Sequence, residues 1–391
     1  MKAGDSETSL LQSISSGAAV FTFGRLLQKG LGFAFHLGLT LWLGSSLYGF
    51  YAYANTIIRL AGIFADVGTS KTALRYLPTY DDASKRNVFI GLGTVTSFFG
   101  SLIIALGLFI LAPIFNEHTF DTPLFQNVLR IFAIVIPFNS LSKFISNSFR
   151  SINKVFHHTF IRHVLEPTLR LLFVTLALVL GYSIVGAIWA TVLAAMVVLT
   201  ISAILTIYHT SLRPSLRWSS DDIMNFYSFS VPLAFKDIST FLYNRVDILM
   251  IGFLLPQATS VGIYNIGMLL SSLLALPLSG FNQLFPPIAA QLLDGKKKEK
   301  LERIHSTLAR WTVSVTVLLT ACIGIYAAEI LRVFGEDFVG GKTVVLILLL
   351  GQLMNSIAFG TGYILLVTDR KYLILANQWT FGILNVVLNY F

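Results

Sequence analysis

The stretch Gly44–Pro78 reads GSSLYGFYAYANTIIRLAGIFADVGTSKTALRYLP. A short turn, Gly44-Ser45-Ser46, opens an apolar run over 47–65, and Asp66-Val67-Gly68 closes it before a basic loop with Lys71 and Arg75. About 20 apolar residues in a row are what a helix needs to cross the hydrocarbon of a bilayer. A weaker copy lies downstream over Pro256–Gly295, PQATSVGIYNIGMLLSSLLALPLSGFNQLFPPIAAQLLDG. There Val261-Gly262-Ile263-Tyr264 matches Tyr48-Gly49-Phe50-Tyr51, and Gly267 falls on Ala54 in the same register. Positive charge follows both copies, Lys85-Arg86 in one case and the lysine-rich run 296–300 in the other. The recurrence predicts two similar membrane lobes.

The rest of the 391-residue chain agrees: 55% of it is apolar and 12% charged, and its mean hydropathy is +0.74. A soluble core could not hide so much apolar surface. The apolar runs are continuous rather than alternating, which indicates helices and not barrel strands. The net charge of +9 belongs to loops held against anionic lipid, so no nucleic-acid partner is expected. The single cysteine, Cys322, lies in an apolar run, and disulfides play no part. A cleavable leader is not indicated, because the first apolar run contains Arg25 and Lys29 and feeds directly into further spans.

Eleven spans are expected, near 18–43, 47–65, 87–115, 125–145, 161–181, 184–207, 226–254, 259–282, 309–332, 343–367 and 372–391. Lysine and arginine concentrate in every second connection: Lys71 to Arg86, Lys143 to Arg162, Arg213 and Arg217, the cluster from Lys296 to Arg310, and Arg370-Lys371. The alternate connections hold only Arg332 and Lys342, beside Glu329, Glu336 and Asp337. The positive-inside rule therefore predicts a multi-pass protein of the cell membrane with a cytoplasmic amino terminus. Residues 1–210 form the expected first lobe (spans one to six), 211–225 a cytoplasmic linker and 226–391 the second lobe. Ser219-Ser220-Asp221 in the linker are expected to cap span seven.

The repeat extends further: Ile114-Phe115-Asn116 resembles Val333-Phe334-Gly335, Asn139-Ser140 recurs as Asn355-Ser356, and Asn153-Lys154 as Asp369-Arg370. Six spans per lobe is an even number, so the lobes share one orientation, a parallel repeat about an axis along the membrane normal. The fold class is thus an all-α polytopic membrane protein of two six-helix lobes. Its second lobe is expected to be truncated, because the sequence stops inside the eleventh span.

Charges inside the spans are the functional signal. Arg25 and Lys29 lie four residues apart in span one, Arg59 in span two, Glu166 and Arg170 in span five around Pro167, and Lys236, Asp237, Arg245 and Asp247 in span seven. A central charge costs about 2.5–3.5 kcal/mol on insertion scales, so several of them must face a wet cavity or each other. Lys236, Thr240, Tyr243 and Asp247 lie within about 40° of one line along the helix, and Arg245 points away from it. The cationic excess of spans one and two, with no acid before Asp66, marks a site for an anion. Bland readings stand beside this one. Lys29 snorkels or Lys236 sits at a helix end, Asp247 pairs with a neighbouring helix, and Arg170 serves Glu166, the reading preferred for that pair. His157, His158 and His163 lack metal-site spacing and are expected in a solvated or lipid-facing loop. Pro137, Pro232 and Pro277 suggest kinked or broken helices. No phosphate-binding glycine loop, zinc-ligand pair or nucleophile–base set occurs, so neither an enzyme nor a cofactor or metal is expected.

Taken together, Gly24-Arg25, Leu47-Tyr48-Gly49-Phe50-Tyr51, Asp66-Val67-Gly68, Leu74 to Pro78, Asp247 to Gly252 and Val261 to Tyr264 give the chain a family likeness. It resembles the polysaccharide or O-antigen-type flippases of the multidrug/oligosaccharidyl-lipid/polysaccharide (MOP) transporter superfamily. The resemblance covers nearly the whole chain and implies a MATE-like fold; members carry twelve or fourteen spans, against eleven here. It implies translocation of an oligosaccharide on a polyprenyl or dolichyl (di)phosphate from the cytoplasmic to the outer leaflet. Partners would be that lipid-linked oligosaccharide, membrane lipids and the enzymes that assemble the glycan. On this reading Arg25, Lys29, Arg59, Lys236 and Arg245 hold the anionic headgroup. Tyr53, Asn55, Tyr243 and Asn244 face the sugar, and Asp66, Glu166 and Asp247 are the candidates for ion coupling. The rivals are a multidrug exporter of organic cations, which would rely on buried carboxylates; a membrane glycosyltransferase, which would need an acid on an outer loop; and a scaffold of a glycan-assembly complex.

Overall fold

The structure is a computed structural model that describes residues 2–80, 82–276, 292, 298–358, 365 and 371–390, without the side chains of 1–19, 298, 371 and 375. The expected kink at Pro277, the downstream copy beyond residue 276, the inner cations at 296–297 and the pair Asp369-Arg370 lie outside the described residues. All regular structure among the described residues is helical.

Helix α1 spans Lys2–Asp66 and is two helices joined without a loop. Gly44 alone leaves helical geometry, at φ 70° and ψ 178°, a conformation that glycine adopts without a Cβ penalty. The expected turn between spans one and two is thus a single hinge residue. Beyond Asp66 the structure departs from the sequence reading: the basic loop is a second helix, α2 (Thr69–Tyr76). Asp66 accounts for it. Its Oδ1 accepts from the Ser70 amide (3.2 Å) and from the Thr69 and Ser70 hydroxyls (both 2.7 Å), which satisfies the helix start.

Next come α3 (Ala83–Glu117), capped by Asp82, then α4 (Pro123–Ala133) and α5 (Val135–Ser151) in place of span four. The break at Ile134 follows from Pro137, which has no amide hydrogen to donate to Ala133. After α6 (Val155–Thr159), a π turn over Phe160–Leu165 leads into α7 (Glu166–Val179). Pro167 cannot bond back to His163, and the wider turn lets the Glu166 amide donate to Ile161 instead. The histidine segment is therefore helical rather than a loop, and His158 is buried.

Helices α8 (Ile184–His209) and α9 (Ser220–Leu254) are separated by an extended strap. Ser219 caps α9 as expected, in a reciprocal box: its hydroxyl accepts from the Asp222 amide (3.2 Å) and the Asp222 carboxylate accepts from the Ser219 amide (2.9 Å). Pro232 lies within α9 without ending it. The chain continues through α10 (Ala258–Ser271) with a 3-10 turn (Ser272–Leu274), α11 (Lys298–Ile325), α12 (Ala327–Phe334), a 3-10 stretch (Glu336–Gly341), α13 (Lys342–Ile357) and α14 (Lys371–Tyr390). Span nine, expected to end near 332, instead ends at Ile325; α12 follows separately after Tyr326.

Six stretches among the described residues are long and apolar enough to cross a membrane: Val20–Asp66, Ala83–Glu117, Pro123–Ser151, Ile184–His209, Glu299–Ile325 and Glu336–Ile357. The first contains two expected spans on either side of Gly44. Helices α7, α9, α10 and α14 occupy the positions of spans five, seven, eight and eleven. Large apolar side chains such as Phe99, Ile103, Leu106 and Ile110 of α3 are exposed, while Ser97 and Ser101 of the same helix are fully buried. Apolar outside with small hydroxyls inside is how helices pack in lipid. The protein is a multi-pass membrane protein.

Contacts group the chain into two compact units: residues 1–42 with 54–241, and residues 43–53 with 242–391. Both α1 and α9 contribute to each unit. In the first unit an aromatic core of Phe89, Phe144 and Phe226 gathers α3, α5 and the start of α9, and Tyr76 of α2 stacks on Phe89 with centroids 4.9 Å apart. In the second unit Tyr48 meets Phe338 edge-on at 6.0 Å.

Candidate functional site

In the first unit the cation-bearing connections touch one another. The Ser215 amide donates to Asn87 O (2.9 Å), Lys154 Nζ donates to His209 O, and Tyr76 Oη donates to Asn225 O (3.3 Å). They make one basic end. Arg25 reaches toward it from α1: its guanidinium lies 5.7 Å from the centre of the Phe21 ring, and that of Arg150 lies 5.6 Å from the same ring. His158 and His163 also pack on Phe21. Lys29, one turn beyond Arg25, is half-buried and feels its charge. Among the described residues no carboxylate is within ion-pair distance of Arg25, Lys29 or Arg150. Burial, reinforced by Arg150, pushes the His158 imidazole down to about 4, so this histidine is neutral near pH 7.

Among the described residues Asp66 is the most enclosed carboxylate of this unit. Besides Thr69 and Ser70 it pairs with Lys143 Nζ at 2.7 Å, and the Asp66 side chain is 3% exposed against 35% for the lysine. Lys71 pairs with Asp237 of α9, both partly exposed. Around that pair α2 is tied to α9 by the Thr72 and Ser230 hydroxyls (3.0 Å) and by Arg75 over the Phe229 ring (4.2 Å). Glu166 does not serve Arg170, as the sequence reading preferred; it accepts from Arg162 at 2.6 Å. Arg170 instead lies over the Phe35 ring at 4.6 Å. Arg59 and Lys236 are exposed and Asn55 is half-buried.

The second unit contains the remaining candidates. Tyr53 is buried, and its hydroxyl donates to Leu249 O (3.2 Å). Tyr243 and Asn244 are exposed. With Lys236 and Thr240 also exposed, the polar line read along span seven is open as far as Tyr243. Asp247 is half-buried; its Oδ2 accepts from Tyr264 Oη at 2.5 Å, and its Oδ1 accepts no hydrogen bond among the described residues. Arg245, expected on the far side, feels Asp247 together with Tyr48 and Tyr264, because the 43–53 segment and α10 both converge on that turn.

The two copies of the opening motif meet in this unit. A Cβ on Gly49 would stand 1.8 Å from Ala258 O, and a Cβ on Gly262 would stand 2.5 Å from Ser45 O. One and the same offset takes Ser45 to Ala258 and Gly49 to Gly262, so each glycine receives the backbone of the other copy. This reciprocity is what a parallel repeat about a pseudo-two-fold axis requires. Asn265 Nδ2 donates to Tyr48 Oη (2.5 Å), and Ser45 Oγ donates to Asp337 Oδ2 (3.3 Å). Phe21, Arg150, Lys143, Tyr264 and Asn265 were not singled out from the sequence as site residues. For Lys143 the available signal was its charge at the inner end of span four; Asn265 adjoins the second copy's tyrosine and reads as an ordinary helix residue.

Comparison with known proteins agrees with this architecture. A multidrug-resistance MATE transporter of the MOP superfamily in its inward-facing conformation is similar over 94% of each chain, at 16% identity and a TM-score of 0.61. A MOP superfamily transporter from Pyrococcus furiosus, described by the reverse polarity of its binding pocket, gives 13% identity and a TM-score of 0.54 over 96% of this chain and 94% of its own. A MATE structure in complex with MaL6 gives 14% and 0.55 over 97% of this chain and 95% of its own. At such identities the likeness is one of fold. No curated protein matches the sequence. The family described as polysaccharide biosynthesis protein matches residues 41–340, most of the chain, and the protein belongs to that family.

Proposed function

We propose that this protein is a flippase that carries an oligosaccharide on a polyprenyl or dolichyl (di)phosphate across the cell membrane, with its basic end and amino terminus in the cytoplasm. The observation that supports this most is the cationic cluster at the basic end of the first unit. Arg25 and Lys29 lie one turn apart and Arg150 shares the Phe21 ring with Arg25, with no carboxylate to neutralise them among the described residues. A (di)phosphate supplies the missing charge. We assign Arg25, Lys29 and Arg59, with Lys236 and Arg245, to the headgroup, and Asn55, Tyr243 and Asn244 to the sugar. Tyr53 keeps the weaker assignment, since its hydroxyl is already used. The prenyl chain stays in lipid while the glycan crosses by alternating access.

Moving one negative charge outward under an inside-negative potential gains about 2.3 kcal/mol per 100 mV, so the potential itself is a driving force. Asp66, with four donors, is a structural anchor on this account, and Glu166 is neutralised by Arg162. Asp247, whose Oδ1 accepts no hydrogen bond among the described residues, is the carboxylate left for a coupling ion. The same oxygen favours the rival reading, export of an organic cation, because a buried acceptor suits a cationic guest. Proteoliposomes separate the two. Purified protein with polyprenyl-diphosphate oligosaccharide is expected to expose the sugar to an external glycosidase faster than empty vesicles do, and faster still under an imposed potential. Sugar exposure at the empty-vesicle rate, together with efflux of an organic cation, would replace the flippase reading by the exporter one.

A further inference from the structure

The first unit also contains a cavity whose lining includes none of Arg25, Lys29 and Arg150. It has a volume of about 270 Å³ and opens between α3, α5 and α8, floored by Phe144 and Phe149 and crossed by the strap at Leu212–Pro214. Its walls are apolar even where the residues are not. The Ser148 hydroxyl donates to Phe144 O, that of Thr206 to Ser202 O and that of Thr210 to Thr206 O, so each spends its hydrogen on its own helix. What faces the space is almost entirely hydrocarbon, aliphatic and aromatic. Its size is nearly twice that of the ~150 Å³ dry cavity known to admit benzene, and a hollow so lined takes an apolar guest rather than water. Ile207 on its wall is 60% exposed, so the cavity communicates with the lipid-facing surface.

The mouth is charged with one sign. Arg213 lines it, its Nη1 donating to Leu212 O (2.9 Å) and Thr210 O (3.3 Å) and its Nη2 to Ile207 O (3.3 Å). Lys154 donates to His209 O at the same helix end. Both cations are held by carbonyls of the last turns of α8 and the strap, and neither has a carboxylate within ion-pair distance among the described residues. The strap that carries Arg213 is fixed by Asn87, whose side-chain oxygen accepts from the Arg213 amide at 2.8 Å. An apolar slot under a pinned arginine, at a basic membrane-facing end, has the chemistry of an anionic lipid site.

We infer that this cavity binds one acyl chain of an anionic glycerophospholipid, with the lipid phosphate at Arg213 and Lys154. That the lipid comes from the cytoplasmic leaflet rests on the orientation proposed above; the binding itself does not, and it is read without any transport assay. The test is native mass spectrometry of the full chain in detergent, with phosphatidylglycerol and phosphatidylcholine of identical chains. The wild-type protein is expected to retain one phosphatidylglycerol at least fivefold in preference to phosphatidylcholine. Ala203→Phe, which fills the slot, should cut retention about tenfold at an unchanged thermal midpoint. Should that variant fold poorly, Ser148→Leu narrows the slot from α5 and must give the same loss. Arg213→Gln should keep a lipid but lose the preference, and Arg213→Lys should restore most of it. Equal retention of both lipids by the wild type, or unaltered retention in the filled variants, would overturn the site. So would a polyprenyl phosphate that displaces phosphatidylglycerol at equal concentration, which would give the slot to the carrier instead.

Discussion

The helical segment that follows Gly44 is held at its two ends by opposite kinds of chemistry. Residues 49 and 66 are about 25 Å apart along it. At one end Gly49 and Gly262 let backbones meet, and no charge is involved in that contact. At the other end Asp66 holds α2, and α2 is tied to α9 through Lys71–Asp237 and the Thr72–Ser230 hydroxyl pair. Glycine packing depends on shape and is indifferent to salt and pH. The Lys71–Asp237 pair is partly exposed and so open to screening by salt, while the Thr72 and Ser230 hydroxyls beside it are buried. On the alternating-access account proposed above, the ionic contact is the one suited to release and the glycine contact the one suited to act as a pivot.

The largest expected effect falls on the glycine contact. Gly49→Leu places a Cβ 1.8 Å from a backbone oxygen that has no flexible end to move. It should cost more than about 4 kcal/mol and abolish the folded monodisperse peak in size-exclusion chromatography. Gly262→Ala, with its limiting contact at 2.5 Å, should act in the same direction and more mildly. A well-folded Gly49→Leu protein would break the contrast.

At the ionic end Asp66 ranks next. Asp66→Ala leaves Lys143 without its partner and removes the acceptor from three further donors. A loss of about 3–5 kcal/mol is expected, read as a lower thermal midpoint in detergent. The removal of Lys143 as well, in Asp66→Ala/Lys143→Met, should recover part of it, because the orphaned charge goes with it.

His158 gives the pH dependence of the basic end. Its folded value of about 4 lies below the ordinary 6.5, so between these values the unfolded chain binds a proton that the folded protein does not. Stability therefore falls as pH drops from about 6.5 to 4, by on the order of 1–3 kcal/mol in all. His158→Gln should flatten that part of a thermal-midpoint profile. The smallest effect belongs to Lys71–Asp237. With side chains 39% and 21% exposed, a double-mutant cycle should give a coupling of about 0.5–1 kcal/mol that shrinks in high salt. A coupling unmoved by salt would mean that this pair is not the hydrated contact described above.

Much of this architecture was legible in the sequence because it depends on local chemistry. Gly44-Ser45-Ser46 marked a turn before the apolar run, which the structure narrows to Gly44, and Ser219-Ser220-Asp221 marked the start of α9, whose capping box Asp222 completes. Motif copies in the same order marked the repeat, which Gly49 and Gly262 carry in their reciprocal contact. What stayed hidden depends on partners far away or on competition between near neighbours. Glu166 has arginines four residues away on either side, and spacing alone could not choose; the π turn before Pro167 brings Arg162 to it. Polar Thr69 and Ser70 read as a loop until the Asp66 carboxylate is seen to accept from both. His158 looked solvated because histidine in a basic segment usually is, yet Ser146 and Phe21 bury it. Arg25 was visible as a charge in an apolar run, but that Arg150, from an inner connection, shares its aromatic ring could only be seen in three dimensions.

The most direct test of the central claim is an Arg25→Ala/Arg59→Ala double variant, produced at the wild-type level in cells that depend on this protein for surface glycan. The account predicts at least a tenfold fall in surface glycan, with lipid-linked oligosaccharide accumulating in the cytoplasmic leaflet. Normal surface glycan, with no such accumulation, would contradict it.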